Sequence, residues 1–572
     1  MRVRVLAALL ALVVGVALGG CVRLPDAGDV TVPDDVPDDV GSAAVDYVPP
    51  GPAPGETPDE IVQHFLGAMR ATSLQTSVAR SFLTESAAEA WAPEQRTIVY
   101  EDASRPTSGT TVSVDLQGAA SLDDRGQWVR DPGGGGDRSV TFGMEQEDGE
   151  WRIATLPNAL IVPLTWLEAR FERADLYFLD PSARILVPTP VFVPSGEQLA
   201  ARLANALFEG PPDTLAGVVG TSLGTAGPGI AVDVSSSGLA SVRITSGEGQ
   251  PPEALTEPMV AQLAWTLRQV PSIVRIRVLV DDVALRVPDG GTEFAVGAGQ
   301  RYTPDVAGAD ASLYGLVGDQ VVEVDGPDTQ PVAGAERLLG AGVRRLSVDL
   351  YGTRLAAQVA DGSVVVVPLD DPAAPTTRIE AQGTALMAWD FAGRLWIADG
   401  GDAARLRVVS SGTVTPVSAP ELSGRRVTSI VVSRDGSRLA AVVGPDSAQQ
   451  VVVARVRYDE RGGVADVVQP AHELPVATPG VAVLDVGWRS ATELLVLARL
   501  DENLVQLQRV PVDGSPGADD DATLVMSDAQ RLVSSTAPGT ALLLVGPETV
   551  EEYEGSRLVA SEVAAAGLTY PG

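Results

Sequence analysis

Leu346-Ser-Val-Asp-Leu-Tyr-Gly-Thr-Arg-Leu-Ala-Ala357 and Ile430-Val-Val-Ser-Arg-Asp-Gly-Ser-Arg-Leu-Ala-Ala441 are two copies of one pattern. Met387-Ala-Trp-Asp-Phe-Ala-Gly-Arg-Leu-Trp-Ile397 and Val486-Gly-Trp-Arg-Ser-Ala-Thr-Glu-Leu-Leu-Val-Leu497 carry it too. Each reads as an apolar strand, a polar turn usually holding Gly, and a Leu that opens a second strand. Gly suits such a turn because it takes a positive φ without a Cβ clash. Gly352, Gly393 and Gly436 stand 41 and 43 residues apart, and Thr492 takes the Gly place 56 residues further on, so one loop is longer. Weaker copies begin near Leu313 and Leu532. Short strands repeating at this period mark four-stranded propeller blades. Residues 311–561 therefore predict an all-β propeller of five or six blades at ~45 residues each. A β-sandwich gives no reason for the repeated Gly-to-Leu punctuation.

Upstream, residues 164–288 read as a compact α/β unit of order ββ-α-ββ-α-β. Asp180-Pro181 is a turn between Asp175–Leu179 and Ile185–Val187. Ser195 with Gln198 reads as a capping box opening a helix with Leu199, Leu203, Ala206 and Leu207 on one face. A second helix over 253–269 carries Leu255, Met259, Leu263 and Leu267. Ile273–Val280 is a strand with Arg275 and Arg277 on one face. Residues 57–160 read as an α+β domain. Thr57-Pro58-Asp59-Glu60 opens a helix with Ile61, Val62, Phe65, Leu66 and Met69 inward, and a second helix is expected over Thr76–Trp91. Alternating strands follow, with Asp148-Gly149 as a hairpin turn.

Residues 1–20 carry Arg2 and Arg4, then an apolar run Val5–Leu18, then Gly19-Gly20 before Cys21. That run suits a signal h-region and is short of the ~20 residues a span needs. Leu18-Gly19-Gly20-Cys21 resembles a bacterial lipobox, which implies an N-acyl, S-diacylglycerol (palmitate-bearing) Cys21 as the first mature residue. Three chains anchor far more firmly than one. Residues 21–56, rich in Pro and Asp, are expected to be an extended tether reaching on the order of 100 Å. No second apolar run of spanning length occurs, so the lipid is expected to be the sole membrane attachment.

The chain has 572 residues and a net charge of −34, which disfavours nucleic acid as a partner. It contains no lysine, two histidines (His64 and His472) and one cysteine. Lysine-dependent phosphate loops, Schiff bases, Cys/His zinc sites and intrachain disulfides are thereby excluded. His64 reads as a half-exposed helix residue and His472 as a blade-loop residue. Gly220-Thr-Ser-Leu-Gly224 matches G-x-S-x-G, but the Gly/Pro-rich run after it cannot start the required helix. Gly133–Gly136 reads as a flexible turn, and acidic pairs such as Asp281-Asp282 are expected by chance in so acidic a chain. No catalytic, metal or cofactor site is expected, and Cys21 is the single proposed site residue.

Leu176–Asp180, Ala206–Pro211, and Trp265–Pro271 followed by Ile273–Val280 give the middle region a resemblance to the GerMN domain. The whole order resembles the actinobacterial LpqB lipoprotein family. Pro58–Val62 with Phe65-Leu66, Phe82-Leu83-Thr84, and Gly149–Ala154 fit that family's first domain. The resemblance implies a non-catalytic accessory of the Mtr two-component system. Such a protein is held at the extracytoplasmic face of the cell membrane and meets the extracellular domain of the sensor histidine kinase. It would thereby modulate envelope homeostasis and cell division. A peptidoglycan-binding envelope protein is the alternative; a cell-wall hydrolase is disfavoured by the missing His, Cys and Lys chemistry.

Cys21→Ser is expected to move the protein from the membrane to the soluble fraction or leave it uncleaved. Intact mass of the native protein should show the added acyl chains; a mass without them contradicts the anchor.

Overall fold

A computed structural model describes residues 49–572, apart from 72–75, 130–135, 224–229, 246–248, 288–289, 372, 401–403, 421, 446–448, 460–461, 475–480, 518–521 and 556. Cys21 and the tether up to residue 48 therefore lie outside the described residues, as do Gly133–Gly135 and Gly224.

The first helix, Pro58–Ala68, starts at the expected capping box: the Thr57 amide donates to Glu60 Oε2 at 2.8 Å. Ile61, Val62, Phe65 and Leu66 face the core as expected. The expected single helix over Thr76–Trp91 is instead two short ones, Ser77–Arg80 and Glu85–Ala90. Between them the backbone leaves the helix to pair with Ile153. The Ile153 amide donates to Phe82 O at 3.0 Å, and the Thr84 amide donates to Ile153 O at 3.0 Å. Thr84 then caps the second helix through its hydroxyl, which accepts from the Ala87 amide. Two four-stranded sheets complete this domain. The Asp148-Gly149 turn has positive φ at both residues, 55° and 85°, as a tight hairpin requires.

Helix Leu164–Arg170 leads into the middle domain. There a long hairpin pairs Phe171–Leu179 with Leu186–Pro194. Helices Leu199–Phe208 and Glu253–Leu267 pack on a sheet whose path is Ile230–Val234, Leu239–Ile244, Arg275–Val280 and Val283–Ala284. Two details differ from expectation. Ser195 does not cap the helix at 199: Gln198 holds the cap position, and the Ser195 hydroxyl donates to Arg170 O at 3.0 Å. The helix at 253 is buried on most sides from Thr256 to Leu267, whereas Leu255 is 42 % exposed. A stripe argument finds one face only; this helix is wedged between the hairpin and the sheet.

The rest is a six-bladed β-propeller of four-stranded sheets. Blades two to six each take four successive strands. Their first strands are Arg345–Val348, Ala385–Trp389, Val427–Val432, Ala482–Ser490 and Arg531–Val533. Blade one is completed from the far end of the chain: Ala566–Thr569 pairs antiparallel with Leu313–Val317. That closing strand falls after Ser561, where the sequence reading ended the propeller, because one isolated strand carries no repeat. His472 lies in the strand Val464–Glu473, opposite Val453, and not in a loop.

Truncation after Ser561 removes the closing strand with Leu568 and Tyr570, both nearly buried. Loss of those two side chains from the core should cost about 3–6 kcal/mol. A clear fall in the thermal midpoint is expected; an unchanged midpoint would mean the ring is not closed this way.

Candidate functional site

The repeated blade turns share more than Gly. Asp349 accepts from the Thr353 amide at 2.7 Å and from Arg354 Nε at 3.0 Å. Asp390 does the same for the Ala392 amide (3.0 Å), Arg394 Nε (2.7 Å) and Trp396 Nε1 (3.0 Å). In the next copy Ser433 takes the Asp place, accepting from the Arg438 amide, and Asp435 accepts from the Ser437 amide. A buried carboxylate is costly unless its lone pairs are filled; Asp349 and Asp390 are filled from their own backbone and from one arginine, whereas Asp435 Oδ2 accepts no hydrogen bond and only faces the Arg438 guanidinium at 3.6 Å. Gly352, Gly393 and Gly436, at φ of 67°, 68° and 73°, let the chain fold round the acid. The Asp before Gly and the Arg before Leu stand in the quoted repeats beside the Gly-to-Leu punctuation.

The residue after each Asp or Ser is aimed outward, onto the middle domain. Leu350 and Phe391 pack with Ile185 and Val306 in one apolar patch. Arg184 sits over the Phe391 ring, 4.9 Å from its centroid. Arg434 donates to Asp305 O at 3.0 Å and to Ser535 Oγ at 2.8 Å. Arg438, fully buried, reaches across to Pro188 O, and the Tyr458 amide donates to Gly217 O at 2.9 Å. Around Arg438 stand Asp435 (3.6 Å from Nη1), Asp175 and Asp513, with Arg173 3.9 Å from Asp513. Burial pushes the Asp175 carboxyl up, and Arg173 and Arg438 pull it back. Burial pulls the Arg438 guanidinium down, and Asp435, Asp175 and Asp513 oppose that. The cluster is an interdomain lock.

The first domain is fastened to the same hairpin. The Phe192 amide donates to Gly126 O at 2.8 Å, and the Trp128 and Phe192 rings lie 5.7 Å apart. Gly126 has φ +77°, and a Cβ there would collide with the Phe192 carbonyl oxygen. Arg125 Nη1 donates to Gly210 O at 2.7 Å.

The other sequence candidates are scattered. His64, half-exposed on the first helix, pairs through Nδ1 with Glu56 Oε1 at 2.7 Å. Ser222 is buried, and its amide donates to Gln262 Oε1 at 2.8 Å. Asp281 and Asp282 form a hairpin turn with φ of 48° and 62°. Among the described residues no cluster of three metal-ligating side chains occurs. No helix among them is long and apolar enough to cross a membrane.

Family models match in the same order as the domains. Residues 51–168 match "Lipoprotein LpqB, N-terminal domain", 175–286 match "Sporulation and spore germination", and 319–539 match "Lipoprotein LpqB beta-propeller domain". Relatives named Lipoprotein LpqB are similar over most of the chain. That of Thermobifida fusca is 29% identical over 97% of each chain. That of Mycobacterium leprae is 27% identical over 91% of each chain.

Arg438→Ala leaves buried carboxylates without their cation, which should cost about 3–5 kcal/mol in urea unfolding. A loss below about 0.5 kcal/mol, as is usual for surface changes, would show that the lock carries no weight.

Proposed function

The chain belongs to the LpqB lipoprotein family, and from that premise we propose a lipid-anchored, non-catalytic accessory at the extracytoplasmic face of the cell membrane. It modulates the Mtr sensor kinase by contact with that kinase's extracellular domain. The observation that carries the reading is the use the fold makes of its chemistry-bearing side chains. Asp390, Arg394, Asp435 and Arg438 are committed to blade turns and to the domain lock. Ser222 is tied by its backbone to Gln262, and His64 stands on the surface of another domain. A body built this way presents surfaces. Lipidation at Cys21 supplies the rest: confinement to the layer where the kinase's outer domain lies raises the effective concentration of a weak partner without any new contact.

Crosslinking in intact cells tests this. Capture of the kinase, together with altered response-regulator phosphorylation on deletion, is the expected result. Binding of the released chain to sacculi alone, with phosphorylation unchanged, would replace it with the peptidoglycan-binding reading. Turnover of labelled peptidoglycan by the pure protein would overturn the non-catalytic part.

A further inference from the structure

The first strands of blades two to six and the closing strand Ala566–Thr569 of blade one line a central channel of about 430 Å³. Its two ends differ. Where those strands finish, the turns carrying Leu350, Phe391 and Arg434 are covered by the middle domain and the 303–310 connector. Where they begin, the mouth is lined by Arg344, Arg345, Gln530 and Arg531. Arg344 and Arg345 also line a neighbouring depression that reaches Gln358 and Asp361. Three arginines at one opening run against the composition of a chain with net charge −34.

None of the three forms an ion pair among the described residues, and neither does Arg434 at the covered end, which is instead held by Asp305 O and Ser535 Oγ; Arg354, Arg378, Arg394, Arg407, Arg438 and Arg457 in the same propeller all do. Arg531 is steadied by a long bond to Leu568 O (3.4 Å), and Arg345 feels it as a like charge. One layer further in stands Asp485. Its oxygens are already engaged: Oδ2 by the Leu532 amide at 2.9 Å, Oδ1 by Ser429 Oγ at 2.7 Å. It softens the positive field without neutralising it, and it repels an anion that would slide deeper. The result is a cationic rim above one buried acid, with Arg434 held by the covering connector at the far end of the same channel.

We propose that this mouth binds a phosphate-bearing ligand end-on, gripped by Arg345 and Arg531 with Arg344 on the rim. Guanidinium forks match phosphate oxygens in geometry, and a dianion answers two or more cations where a single carboxylate would leave charge unbalanced. The channel volume lies in the range of small-ligand sites. This assignment is independent of the kinase reading.

The test is calorimetric titration of the whole chain, released by Cys21→Ser, with inorganic pyrophosphate at low salt. Saturable binding is expected, weakened at least about tenfold by Arg345→Gln with Arg531→Gln, since charge-assisted bonds contribute that much each. Arg557→Gln, on an outer strand where Arg557 pairs with Glu554, should leave it unchanged. Thermal melting checks that the double variant is folded; both arginines are exposed, so it should be. Phosphatidylglycerol vesicles form the second arm: co-sedimentation that needs the same arginines assigns the phosphate to a lipid headgroup, and pyrophosphate binding alone assigns it to a free ligand. No saturable binding, or binding that the folded double variant retains, overturns the proposal.

Discussion

The arrangement of this molecule depends on carboxylates and guanidiniums buried in the blade turns. An unpaired charge at Asp390 or Arg438 would cost several kcal/mol, so the turns at Asp349, Asp390 and Asp435 each hold the acid beside an arginine of the same turn. Closing such a turn forces the next residue outward. Leu350, Phe391 and Arg434 occupy that outward place in three successive turns, and together they form the seat of the middle domain. The same bonds that finish a blade therefore build an interface. Such pairs add little net stability over well-packed apolar side chains. What they supply here is a fixed turn geometry, repeated in three successive blades.

That seat gives the propeller two unlike faces. One is covered by the Asp180–Ile185 turn, Pro188 and the connector, with its charges paired or opposed within the lock. The other opens the central channel and carries arginines with no ion pair among the described residues. In a strongly acidic chain, a local cationic field of this kind is the place where an anion is drawn in.

Much of the fold was legible because its signals are local. The Gly352, Gly393 and Gly436 spacing located three blades, and the capping box at Thr57 located the first helix to the residue. What was missed needed partners distant in sequence. The break at Phe82–Leu83 exists because Ile153 pairs there, and Ser195 turns to Arg170 and away from its helix. The closing strand near Leu568 has meaning only beside Leu313–Val317. The Asp–Arg pairs were the instructive omission: aligned copies held them, but a charge in a β-turn reads as solvent-exposed until burial is known.

The docking of the middle domain on the blade turns is tested most directly by amide hydrogen exchange at Tyr458 and Phe391. The Tyr458 amide is bonded across the interface to Gly217 O, and the Phe391 amide to Arg434 O within the seat. Protection of both at the level of the blade interiors, lost together in one opening event, is the result this structure requires. Rapid exchange at Tyr458 while the blade strands remain protected would mean that the domains separate freely and that the seat is not an interface.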